Sequence, residues 1–247
     1  MRNIKLTIEY DGTNYHGWQC QDNALAIQSV ITSAIEQITR EQIKLNGSGR
    51  TDAGVHAVGQ AANFKTKCSI PVDKIPAALN SILPDDIVIV DAHEVPLDFH
   101  ARYSCKGKTY KYLILNSDIP SAFMRNRAAH ITYRLNVDAM KKACELLVGT
   151  KNFLSFCAAG SSVKDFTRTI IFADITQDGD IIEFTVSGNG FLRNMVRIIV
   201  GTLVDAGKGK ITLQQFQNII ESQDRNNAGI TMPAHGLYLQ EVVYHKF

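Results

Sequence analysis

The segment RTIIFADITQDGDIIEFTVSG, residues 168–188, narrows the fold most. Two β-branched, apolar stretches flank Asp178-Gly179, and Asp-Gly between such stretches signals a two-residue hairpin turn of type I′. A tight hairpin makes its strands antiparallel neighbours, so the chain must build antiparallel sheet. Ile4, Leu6, Ile8 and Tyr10 alternate with Lys5, Thr7 and Glu9, which predicts another half-buried strand. Strands are also expected at 43–45, 56–64, 86–95, 108–116 and 237–245, and residues 11–23 read as a turn-rich loop. Helical spacing predicts helices over 25–40, over 73–82, after the N-cap Asn136 as far as Gly149, over 191–207 and after Thr212. Mixed strands and helices with hairpin signals predict an α+β fold with a largely antiparallel sheet. Two similar lobes, 1–104 and 105–247, with a cleft between them, fit the even distribution of elements.

Composition excludes several classes. The 247 residues are 45% hydrophobic and 20% charged, as in a globular protein, and allow a sizeable core. Formal net charge is +2, so a nucleic-acid surface would have to come from local clusters of Lys and Arg. The five cysteines, Cys20, Cys68, Cys105, Cys144 and Cys157, are odd in number and form no C-x-x-C pair. That fits a reducing cytoplasm better than a disulfide framework or a zinc ribbon. The N-terminal MRNIKLTIEYDG lacks the unbroken apolar core of a signal peptide, and no apolar run is long enough to span a membrane.

GSGRTDAGVHA, residues 47–57, concentrates chemistry-bearing residues. It lacks the lysine and spacing of a phosphate-binding P-loop, and Asp52 would repel a phosphate. His56 follows Asp52 by four residues, but no nearby group completes a metal set, so it reads as a packing or hydrogen-bonding residue. Two readings stay open: a surface turn with a local Arg50–Asp52 pair, or a single reactive carboxylate on a loop. In the second, Gly47, Gly49 and Gly54 supply left-handed dihedrals and clearance for a ligand.

GRTDAGVHA resembles the signature of the TruA-type tRNA pseudouridine synthases. YDGTNYHGWQ (10–19), ALNSILPDDI (78–87), DFHARYSCKGKTYKYLI (98–114), TRTI (167–170), GNGFLRNMVRIIVG (188–201) and PAHGLYL (233–239) resemble further blocks of that family, in the family's order. The resemblance implies an α+β fold of two lobes sharing an antiparallel sheet around a basic cleft. It implies an isomerase acting on uridines 38, 39 and 40 of the tRNA anticodon stem-loop. It also implies a homodimer with no cofactor, nucleotide or metal. Residue by residue, Asp52 matches the catalytic aspartate, a nucleophile. Tyr110 matches the tyrosine that stacks on the target base, Arg197 the arginine that pairs with the aspartate, and Arg50 the arginine implicated in extruding the nucleotide.

The chemistry suits those residue types. The reaction breaks the C1′–N1 bond, turns the uracil and makes a C1′–C5 bond, so nothing is oxidised and a redox cofactor has no task. A stacked, paired uridine must first be flipped out, at a cost of a few kcal/mol. The carboxylate must be ionised, as an ordinary aspartate is at neutral pH. It can attack C1′, attack C6 of the base or remove a sugar proton. Tyr110 offers a flat face and a hydroxyl able to relay the C5 proton, although, sharing one strand face with Tyr112 and Ile114, it also reads as a plain cross-strand aromatic. Arg197 lies among Met195, Val196, Ile198, Ile199 and Val200, a setting that calls for an anionic partner. Arg193 is expected one turn earlier on a similar helical face, where it reads equally as an RNA contact and as a solvated charge.

His100, Arg102, Lys106, Lys108 and Lys111, interleaved with Tyr103 and Tyr110, form a basic segment suited to RNA phosphates. Arg125, Arg127, Lys164 and Arg168 are weaker candidates for RNA contact, each read first as an ordinary surface charge, and His16 and Trp18 read first as loop anchoring and core. Ile230, Met232 and Asn152 depart from the family pattern outside the catalytic set. Two rivals remain: a catalytically silent tRNA-binding protein, and a nucleotide enzyme using the Gly-rich loop for phosphate.

Overall fold

The computed structural model describes residues 1–21, 24–160 and 163–244. The chain divides into one compact unit of residues 1–106 with 238–247, and another of residues 107–237. The expected division at 104/105 gave the final strand to the second lobe; its residues from Tyr238 onward pack in the first unit.

In the first unit, β1 (Arg2–Tyr10) lies between β3 (His56–Thr66) and β4 (Ile87–Val95), antiparallel to both. The short β2 (Asn46–Gly47) pairs with β3, and β10 (Leu237–Val243) runs parallel to β3 through Tyr238 and Leu239. Strand alternation sorts β1 cleanly. Ile4, Leu6 and Ile8 are sealed from solvent, while Lys5, Thr7 and Glu9 point to the other face. Helix α1 (Ile27–Thr39) buries Ile27, Ile31, Ala34 and Ile35 and ends where Arg40 turns left-handed; α2 (Ile75–Asn80) follows and packs on β4. Each fully buried isoleucine contributes about 1.5–3 kcal/mol.

In the second unit the strand order is β5 (Gly107–Asn116), β9 (Ile181–Gly188), β8 (Thr167–Asp178), β7 (Gly149–Asn152), all antiparallel, with β6 (Ala129–Ile131) parallel to β5. Helices α3 (Val137–Glu145), α4 (Met195–Gly207) and α5 (Leu213–Ser222) accompany them. Asn136 caps α3 by accepting from the Ala139 N–H, and Thr212 with Gln215 forms a reciprocal capping box on α5. The α+β class and the antiparallel character are as expected.

The differences have local causes. The hairpin loop is Gly179-Asp180, one residue later than expected, because Asp178 still pairs with Ile181. Of the two loop residues only Gly179 has positive φ, the requirement of a type II′ turn and not of I′. Gly149, with φ +107, does not close α3, which ends four residues earlier at Glu145 with Leu146 as its C-cap; it opens β7. Residues 43–45 form no strand; pairing begins at Asn46. Helix α4 starts at Met195 rather than at 191, because Asn194 adopts left-handed φ +56. Asp22, Asn23 and His245, included in the expected loop and closing strand, lie outside the described residues.

Candidate active site

In the first unit, the loop between β2 and β3 carries Asp52, and nearly every residue leading to it is tied down. Ser48 donates its hydroxyl to Gln60 Oε1 at 2.5 Å and its N–H to Ala61 O at 2.7 Å. Gln60 Nε2 donates to Gly49 O at 3.2 Å. Thr51 Oγ1 and the Tyr10 hydroxyl share a hydrogen bond of 2.8 Å, and Thr51 O accepts from Trp18 N–H at 3.2 Å. Beyond Asp52, Val55 N–H returns to Asp52 O at 3.1 Å, and Gly54 N–H reaches Tyr15 O at 3.3 Å. Tyr10, Ser48, Thr51 and Gln60 are all buried, and a buried polar group left without a partner costs about 1–3 kcal/mol. The cluster therefore holds the loop in one shape. Asp52 itself is half-buried.

The glycines divide by task. Of the three in the motif only Gly54 has positive φ, at +76, so the expectation of left-handed dihedrals fails for Gly47 and Gly49. Gly47 is required for clearance of another kind, since a Cβ there would lie 2.3 Å from Trp18 Nε1. Gly17, with φ +89, lets the preceding loop come against Thr51 O. Trp18 is buried core and His16 is exposed.

His56 is a support. Its Nδ1 accepts from the Gly12 N–H at 3.0 Å, and its ring stacks on Tyr238 at 4.7 Å. Asp11 Oδ1 lies 3.2 Å from the same nitrogen. Arg50 points outward, exposed, with its Nε on Gln19 Oε1 at 3.2 Å.

In the second unit, Tyr110 is buried on β5, with the ring of Phe191 edge-on at 5.1 Å and 81°. Tyr112, two residues along the same face, donates its hydroxyl to Pro233 O at 2.7 Å. Burial pushes the Tyr112 hydroxyl well above the usual tyrosine value, and the nearby Arg197 charge pulls the other way. Arg197 is half-buried in the first turn of α4, a helix apolar all round, and its Nε donates to Met232 O at 2.7 Å. Met232 is thus buried and holds the arginine, whereas Ile230 is exposed. Asn152, the third departure, caps Leu154 N–H and bonds Gln223.

Several expected RNA contacts sort differently. Arg193 precedes α4 and is not on a face shared with Arg197; its guanidinium caps Ala159 O and Gly160 O. Strand alternation puts Lys108 on the Tyr110 face and Lys111 on the opposite one, where Lys111 pairs with Glu183 at 2.9 Å. Half-buried His100 clusters with exposed Tyr103 and Arg102, the His100 and Tyr103 rings 4.3 Å apart and the guanidinium 6.0 Å over Tyr103. Lys106 and Lys164 are exposed; Arg125 and Arg168 bond nearby carbonyls. Sequence reasoning missed Gln60, Tyr10, Thr51 and Phe191. Gln60 left one signal, a polar side chain set among Val58, Gly59, Ala61 and Ala62 in the middle of β3.

A family model for tRNA pseudouridine synthase matches residues 6–104 and 143–245, most of the chain. The chain belongs to this family. Proteins named tRNA pseudouridine synthase A resemble it along their whole length. The one from Acetivibrio thermocellus is 52% identical over 244 residues, and that from Caldicellulosiruptor bescii 54%. The one from Clostridium acetobutylicum is 49% identical, and all three cover 99% of this chain and 100% of the relative. Among solved structures, a Cbf5–Nop10–Gar1 complex aligns with TM-score 0.36 and 13% identity over 95% of this chain and 57% of that one; nothing rests on so slight a likeness. The chain is therefore a TruA-type enzyme that isomerises uridine in tRNA. Among the described residues no helix is long and apolar enough to cross a membrane. Among them, too, no three His, Cys, Asp or Glu side chains group to hold a metal.

Proposed function

We propose that this synthase converts uridines 38, 39 and 40 of the tRNA anticodon stem-loop to pseudouridine, with Asp52 as nucleophile on a flipped-out base. Tyr110 stacks on the uracil, and Arg197 is the cationic partner that favours and orients the ionised carboxylate. Arg50 holds or replaces the extruded nucleotide; Arg102, His100 and Lys108 contact the flanking RNA. Lys111 and Arg193 are weaker members of that set, because both already serve partners within the protein. The enzyme works as a homodimer in the cytoplasm and uses no cofactor.

One observation carries the catalytic assignment. The backbone on both sides of Asp52 is fixed by buried hydrogen bonds, yet the side chain sits in a half-buried position. A rigid frame under a reachable carboxylate is what preorganised attack requires, since misplacement of a reacting group by about 1 Å can cost 100-fold in rate. An ordinary surface turn needs no such frame. Mapping pseudouridine in tRNA treated with the purified protein tests the target. Product at 38, 39 and 40 is expected; product confined to another arm would refute the anticodon assignment.

A further inference from the structure

The polar face of the first unit holds a groove of about 460 Å³ lined by Gln42, Lys44, Asn46, Asn63, Lys65 and His100, with Leu97, Asp98 and Phe99 at its wall. The register of β2 against β3 pairs Asn46 with Asn63. Lys44, two residues before that pairing begins, and Lys65, two residues beyond Asn63 on β3, line the same groove. Two ammonium groups lining one groove repel each other, and an anion between them relieves the repulsion. Both lysines are exposed, and neither makes an ion pair among the described residues. His100 Nδ1 accepts from Arg102 N–H at 3.1 Å, which leaves Nε2 as the protonated donor.

The wall is rigid. Asn3 and Asn63 are buried and bonded to each other at 2.9 Å. Asn3 donates to Pro96 O and Phe99 O, and Asn63 Oδ1 accepts from Ala101 N–H at 2.8 Å. These bonds fix the segment that carries His100. The groove is also close to the chemistry along the chain, because Asn46 to Asp52 can span at most about 20 Å. RNA presenting a base to Asp52 has its flanking backbone within that reach.

We propose that Lys44, Lys65 and His100 form a phosphate-binding station for the tRNA backbone next to the target nucleotide. The inference rests on tRNA being the substrate. Its role is to hold the RNA, and it takes no part in the bond changes. Asp98 at the rim opposes phosphate, and its removal tightens binding.

The test is tRNA binding by the Lys44→Ala/Lys65→Ala double variant over a salt series, with the single-turnover rate at saturating tRNA. Each phosphate contact contributes about 0.7–0.9 to the slope of log affinity against log salt. The double variant should bind about 10-fold more weakly near 0.1 M salt, with a slope shallower by about 1.4–1.8. Its saturated rate should stay within about twofold of the parent, and Asp98→Asn should tighten binding about twofold. Unchanged affinity and slope would overturn the station, as would weaker binding with an unchanged slope. Either result would leave the Asp52 chemistry standing, because the saturated rate reports that separately.

Discussion

Gln60 Oε1 accepts a hydrogen bond from Ser48 Oγ at 2.5 Å, so a strand residue eight positions beyond Asp52 clamps the loop four positions before it. The same side chain reaches Gly49 O and faces the Tyr10 hydroxyl. Replacing it with leucine keeps the bulk and removes the clamp, leaving Ser48 and Gly49 O underserved at a cost of about 1–3 kcal/mol. Gln60→Leu should lower the single-turnover rate about 10-fold or more while tRNA affinity changes less than about twofold. Folding is checked by circular dichroism. A folded variant with the parent rate would show that the clamp does not position Asp52.

Gly47 and Trp18 make a second check. An alanine Cβ at Gly47 would stand 2.3 Å from the indole Nε1. Overpacking of that kind costs about 1–3 kcal/mol. Trp18 is the chain's one tryptophan, so tryptophan emission reports the surroundings of this indole. Gly47→Ala should lower the denaturation midpoint and shift the emission to longer wavelength; parent-like emission and stability would contradict the packing described.

How far the sequence made the molecule legible follows from these residues. Periodicity found β1, α1, β3, β4, β5, the β8–β9 hairpin and α5, because each has a face that must leave water. It overran the start of α4, since Phe191 and Leu192 continue the apolar pattern while Asn194 turns left-handed and breaks the helix. Phe191 instead packs on Tyr110, a tertiary contact with no local signature. Asp52 and Arg50 stood out through motif. The network beneath them did not, because Tyr10, Gln60 and Ser48 meet only when β1 and β3 pair.

Stability should fall in alkali. Burial raises the Tyr10 and Tyr112 hydroxyls above their ordinary value of 10.0. The unfolded chain releases these protons near pH 10 while the folded one keeps them, so the stabilisation is complete below pH 10 and is lost above it. The loss is about 1.4 kcal/mol per pH unit for each such tyrosine. Denaturant midpoints measured from pH 9 to 11 should decline, and less steeply in Tyr10→Phe. A flat profile would contradict the burial of both hydroxyls.

The cysteines should differ in reactivity. Burial, with Asp174 and Glu145 nearby, pushes the Cys144 thiol up to about 12, whereas Cys20 is exposed. The thiolate is the reactive form. Brief treatment of the native protein with iodoacetamide at pH 8, read by peptide mass, should label Cys20 and spare Cys144. Equal labelling would mean that the α3 face carrying Cys144 opens readily.

The central claim is that Asp52 performs the chemistry on a uridine delivered by tRNA. Making the C1′–C5 bond expels the hydrogen at C5, so tritium placed there reports turnover directly. The purified protein should release it from tRNA, and Asp52→Ala should release none while binding the same tRNA with affinity within about threefold of the parent. Full tritium release by Asp52→Ala would contradict the account.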